Sequence, residues 1–191
     1  MPRGHTPLNY TRKENNKMKK VIALALGAVM CLGLLAACGT PAANPTPTPT
    51  EPAMTPEELS AHYAEAITGA RDEQENTDRP IISTDEEMGT AYWDVLGFTA
   101  DDVDAFAVSI SLMNVQAYCV GVFKPAEGKT ETVMTALQAY IDNMVQSFTN
   151  YLPDQLTIAE SAKLEQLDDG TVVIVMCENQ DTVYDAIAAA L

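Results

Sequence analysis

Residues 162–177 read AKLEQLDDGTVVIVMC. Two strand-like runs, Ala162 to Leu167 and Thr171 to Cys177, flank Asp168-Asp169-Gly170. Asp-Gly favours a primed hairpin turn, because glycine accepts a positive φ at little steric cost. The second run, TVVIVMC, is nearly all apolar, which predicts a central strand covered on both faces. Such a strand needs partners beside it and helices above and below.

Both are found upstream. Phe106, Val108 and Ile110 alternate with Ala107, Ser109 and Ser111, the period-two signature of a half-buried strand. Tyr118 to Phe123 supplies the next strand, and the short connection through Met113-Asn114 predicts a hairpin. After Gly128, the residues Val133, Leu137, Tyr140, Ile141, Met144, Phe148 and Tyr151 trace one face of a long helix. Pro153 prevents its simple continuation. Beyond the second hairpin, Asn179 or Asp181 can cap a last helix that turns Val183, Tyr184, Ile187 and Leu191 inward.

Ahead of the strands a helix starts at Thr55, with Pro56 in the first turn and Glu58 completing a capping box. Leu59, Tyr63, Ala66, Ile67 and Ala70 follow at helical spacing. The run DEQENTD, Asp72 to Asp78, is wholly polar, and Pro80 ends any helix. Ile81 and Ile82 form a short strand or plug a gap. Met88 to Leu96 reads as a short helix stopped by Gly97, with Trp93 as a core anchor. The order after residue 100 is ββα and then ββα. Residues 55–191 are therefore expected to form an α+β domain: one four-stranded, mainly antiparallel sheet packed against helices.

The first 54 residues have a different character. Six of the 11 Lys/Arg, but one of the 27 Asp/Glu, lie before Cys38. Met18-Lys19-Lys20 precedes an unbroken apolar run, Val21 to Ala37, as in a signal peptide. Such a run is shorter than the roughly 20 residues of a membrane-spanning helix. Leu35-Ala36-Ala37-Cys38 resembles the lipobox of bacterial lipoproteins, in which small residues precede a cysteine. That resemblance implies cleavage between Ala37 and Cys38 and a diacylglyceryl group on the Cys38 thiol, with residues 18–37 as the signal peptide. Two acyl chains anchor a protein stably where one binds marginally. An ordinary secretory signal is the plainer alternative. Residues 1–17 fit neither scheme and are expected to be a gene-model extension, with Met18 as the true start; a longer, atypical n-region is the alternative. Residues 38–54, with Pro41, Pro45, Pro47, Pro49 and Pro52, form an extended linker, because proline fixes φ and removes donors.

Five basic and 26 acidic residues follow Cys38. This balance repels phosphate backbones, so nucleic acid is not an expected partner. The expected contacts are the membrane, through the lipid on Cys38, and an unidentified envelope protein or ligand.

Ser109-Ile110-Ser111-Leu112-Met113-Asn114, followed by Val120-Gly121-Val122-Phe123-Lys124, resembles a family called domain of unknown function 4358. The similarity runs on through Tyr151-Leu152-Pro153-Asp154-Gln155 and the strand Val172 to Met176, over roughly residues 85–191. It implies a small lipoprotein or secreted protein of a Gram-positive anaerobe and brings no activity. Members often carry an acidic residue entering the second strand, where this chain has Tyr118-Cys119.

No reactive set emerges from the residue types. After cleavage His62 is the one histidine, read as an exposed helix residue. Metalloprotease, serine-hydrolase, dinucleotide and P-loop motifs are absent from the sequence. No cofactor, metal or catalytic residue is therefore expected. Cys119 and Cys177 can form a disulfide if their strands are neighbours; otherwise they are buried thiols. The acids Asp85, Glu86 and Glu87, and Asp101, Asp102 and Asp104, lack the offsets and glycine of a calcium loop and read as solvated groups or caps. The expected function is that of a membrane-anchored, extracytoplasmic, non-catalytic binding or accessory protein of the cell envelope. The alternative is a carboxylate-dependent, glycan-acting envelope hydrolase. A two-lobed solute receptor would need a longer chain.

Overall fold

The structure, a computed structural model, describes residues 54–191. The extension, the signal peptide, the Ala37–Cys38 cleavage, lipidation at Cys38 and nearly all of the linker lie outside the described residues. The first described helix, α1 (Pro56–Ala70), starts on the expected capping box: Glu58 N donates to Thr55 Oγ1, and Thr55 N to the Glu58 carboxylate. Next come α2 (Glu73–Asp78) and α3 (Asp85–Leu96), which is broken at Gly89 and ends on Gly97 at φ 82°. That left-handed angle is why a glycine stops the helix there.

A 3-10 turn (Ala100–Asp102) leads into β1 (Val103–Ile110) and β2 (Cys119–Pro125). The chain then forms α4 (Thr130–Phe148), α5 (Pro153–Glu160), β3 (Lys163–Gln166), β4 (Val172–Met176) and α6 (Gln180–Ala190). The four strands make one antiparallel sheet in the order β1-β2-β4-β3, so the apolar run at 172–176 is central and fully buried.

Alternation along the strands divides the core into two. On one face Phe106, Val108, Cys119, Phe123, Val172, Ile174 and Met176 meet α3, α4 and α5. On the other face Ala105, Ala107, Val120, Val122, Val173, Val175 and Cys177 meet α1 and α6. The first core is aromatic: Trp93 stands edge-on to Phe106 with centroids 4.9 Å apart, and Phe98 to Phe123 at 5.4 Å. The second is built at β1 from alanines, small enough for α1 to lie close.

Several expectations need correction. β1 is buried on both faces, not half-buried, because α1 covers Ala105 and Ala107. The polar run 72–78, assigned no element from its sequence, holds helix α2, with Asp72 as its cap on Glu75 N and Asn76 Nδ2 on Thr68 O. Pro153 opens a second helix, as proline does at a first helical position, so the order is ββααββα. Tyr151 lies beyond α4 and is 71% exposed, and Leu191 is also exposed. The second hairpin has a three-residue loop. Gly170 N donates to Leu167 O, Leu167 N donates to Thr171 O, and only Gly170 takes a positive φ there, 86°. A type I′ turn needs positive φ at both central residues and is therefore ruled out. Ile82 fulfils the strand reading as a single bridge: its N–H and C=O both pair with Val108 at 2.8 Å, closing part of the free edge of β1.

Candidate functional site

At one end of the sheet, where β1 ends, β2 begins and β4 ends, α2 and the loop 111–118 enclose a cleft. Its larger lobe measures about 580 Å³ and its smaller about 370 Å³. Asp72, Glu75, Arg79 and Gln116 line both lobes and join them.

The floor is Tyr118. Its ring is buried, and its hydroxyl accepts from Arg71 Nη1 at 2.9 Å and donates to Glu75 Oε1 at 2.8 Å. Burial drives the phenol strongly away from ionisation; the Arg71 hydrogen bond opposes this and Glu75 reinforces it. Arg71 is itself 8% exposed, with Nε on Asn76 Oδ1 at 3.0 Å and Nη2 buried without a hydrogen-bond partner among the described residues. The Arg79 guanidinium lies over the other side of the assembly, 3.8 Å from the Tyr118 ring centroid, with Nη1 3.4 Å from Gln116 Oε1. Gln116 also accepts from Ser111 Oγ, and Ser109 Oγ donates to Arg79 O. Ala117 N is held by Gln155 Oε1 at 2.7 Å, which ties the loop to α5.

This arrangement divides the five basic residues after Cys38. Lys124, Lys129 and Lys163 are ion-paired with Asp169, Asp102 and Asp181 at 3.1, 2.9 and 2.9 Å. The two arginines instead converge on Tyr118, with no carboxylate oxygen within salt-bridge distance of either among the described residues.

The side chains weighed in the sequence lie elsewhere or serve the fold. His62 is half-buried on α1, its ring 6.4 Å from that of Tyr63. Cys119 and Cys177 are free, and the register explains why: Cys119 faces Met176, so Cys177 points to the opposite face of the sheet. Burial pushes both thiols up, Cys177 to about 12, with Glu75 adding to the shift there. Asp85 accepts from Trp93 Nε1 at 2.7 Å, and Glu87 closes the cap of α3 with Thr84. Asp102 is buried against Lys129 and Thr99, and Asp169 sits in the second hairpin with Lys124 and Thr171. None of these groups joins the cleft except Cys177. Among the described residues no group of three or more potential metal ligands converges, and no helix is long and apolar enough to cross a membrane.

Sequence reasoning missed Arg71, Glu75, Arg79, Gln116 and Tyr118. One signal was present: the only arginines after Cys38 bracket the polar run 72–78.

No curated protein and no solved structure matches the chain. A family model, Domain of unknown function (DUF4358), matches residues 83–177. The match spans the whole sheet with α3, α4 and α5, and stops before α6 rather than reaching residue 191. Gln116 and Tyr118 fall inside it, whereas Arg71, Glu75 and Arg79 precede it, so the cleft joins the matched domain to the helices ahead of it. Residues 83–177 of the chain are thus a domain of the family called domain of unknown function 4358.

Proposed function

We propose that this chain is an extracytoplasmic protein of the cell envelope, tethered by lipid on Cys38, that binds a ligand in the cleft over Tyr118 without transforming it. The observation that supports binding is the division of labour in the cleft. The floor commits most of its polar groups to one another: Tyr118 holds Arg71 and Glu75, and Arg79 is stacked and bonded to Gln116, while Arg71 Nη2 has no partner among the described residues. The rim leaves Leu112 and Met113 in solvent. A fixed floor under an apolar rim suits recognition. The phenol, pushed away from ionisation, is poorly matched to the work of a base at neutral pH. Tethering is supported by the sequence alone: basic residues, an apolar run, Leu35-Ala36-Ala37-Cys38 and a proline-rich spacer, in that order.

One observation favours the hydrolase alternative: Asp72, Glu75, Asp78 and Glu178 all line the cleft. Glycan cleavage by two carboxyl groups needs them about 5–10 Å apart across the scissile bond. Glu75, however, is already bonded to Tyr118. The test is release of reducing ends from purified cell-wall glycan by the purified chain. Binding predicts no saturable turnover. Saturable turnover lost in Glu75→Gln or Glu178→Gln would replace binding with hydrolysis.

A further inference from the structure

We propose that the cleft docks a basic, amphipathic segment of a partner polypeptide, a reading that rests on the binding function above. Two surfaces meet at its rim. Leu112, Met113 and Val115 are 48, 55 and 44% exposed, three of the seven large apolar side chains so exposed among the described residues, and they fall within one loop. Single exposed apolar residues are ordinary, but a group of them beside a polar rim marks a docking surface. Leu112 and Met113 face the cleft with Ile82 and Tyr92.

The lining also carries acids. Asp72 and Asp78 line the larger lobe from either end of α2, and Glu178 lines the smaller lobe. None of the three has a basic partner among the described residues, since all three ion pairs lie elsewhere. The cations of the cleft belong to its floor, where Arg79 is stacked on Tyr118 and Arg71 is buried beneath. A ligand in the larger lobe therefore meets the carboxylates of α2 together with the methyl and thioether groups of the loop. An anionic ligand would meet these carboxylates on its way to Arg79, the one basic side chain that lines the lobes and one already stacked on Tyr118. A bilayer would accept the apolar loop, but anionic headgroups repel a domain with 25 acids against five bases. A segment carrying both Lys/Arg and Leu/Ile-type side chains matches both sets of groups. Its charge would speed encounter, and its apolar side chains would hold the complex.

The test uses the full chain in phosphatidylcholine nanodiscs and fluorescence anisotropy of short labelled peptides: Lys/Leu, Glu/Leu and Lys/Ser. Empty nanodiscs are the reference. The Lys/Leu peptide should bind at least about tenfold more tightly than the other two. Leu112→Ser with Met113→Ser, and separately Asp72→Asn with Asp78→Asn, should each weaken it about tenfold or more. Asparagine also caps helices well, so the second pair keeps α2 intact. Glu131→Gln with Asp142→Asn, an equal charge change on α4 away from the cleft, should leave binding within about twofold. Equal loss from the α4 pair would reveal only a general field and overturn the proposal. Equal binding of Lys/Ser, or the same signal on empty nanodiscs, would overturn it as well. Tight binding of Glu/Leu that depends on Leu112 and Met113 would overturn the basic partner yet leave the binding function standing. Failure of all three peptides would also refute the basic partner, whereas the binding function falls only with turnover on cell-wall glycan.

Discussion

The carboxylate of Asp102 accepts from Thr99 N and Oγ1 at 2.9 and 2.8 Å and meets Lys129 Nζ at 2.9 Å. Lys129 first, then Thr99, lowers its pKa from the ordinary 3.8 to about 2. Between those values the unfolded chain binds more protons than the folded one. The stabilisation is therefore complete above about pH 4 and is lost as pH falls towards 2. Asp102→Asn should lower stability at pH 7 by about 1–3 kcal/mol and flatten the acid limb, read by urea denaturation across that window. An unchanged acid limb would remove Asp102 from the account. Tyr118 acts through its hydroxyl, which two charged side chains share. Tyr118→Phe keeps the ring under Arg79 but strands buried donors and acceptors, so it should cost about 1–3 kcal/mol in the same assay. A cost near zero would mean that the hydroxyl is dispensable to the floor.

Strand β2 carries a packing device of another kind. A Cβ at Gly121 would lie 2.8 Å from the Phe123 ring and 3.1 Å from Val108 Cγ2. The missing side chain gives Phe123 room to reach Phe98 and Phe106. Gly121→Val should destabilise by about 1–3 kcal/mol through overpacking, measured as a lowered denaturation midpoint. An unchanged midpoint would show that the aromatic cluster can move. Elements with strong periodicity were legible beforehand: the two hairpins, the central strand, α4 and the capping box of α1. The missed elements lacked that signal. α2 has no apolar stripe and is held by Asp72 and by Asn76 reaching back to α1. Pro153 was read as a stop, although a stop for one helix can start the next.

Across the described residues, three lysines are neutralised in pairs while two arginines gather on one tyrosine. The Arg71–Tyr118 contact joins residues 47 positions apart. No local pattern encodes such a meeting; it follows from how the sheet seats loop 111–118 beside α2. The proposed anchor is the reverse case: it rests on sequence order alone. In the proposed placement, a proline-rich stretch separates Cys38 from α1 along the sequence. Placement outside the cytoplasm is thus the claim on which the functional account depends, and mass spectrometry of the chain extracted from membranes tests it most directly. Lipid tethering requires a polypeptide that begins at Cys38 and carries the mass of diacylglycerol on that residue. A chain that retains residues 1–37 and bears no acyl mass would contradict it.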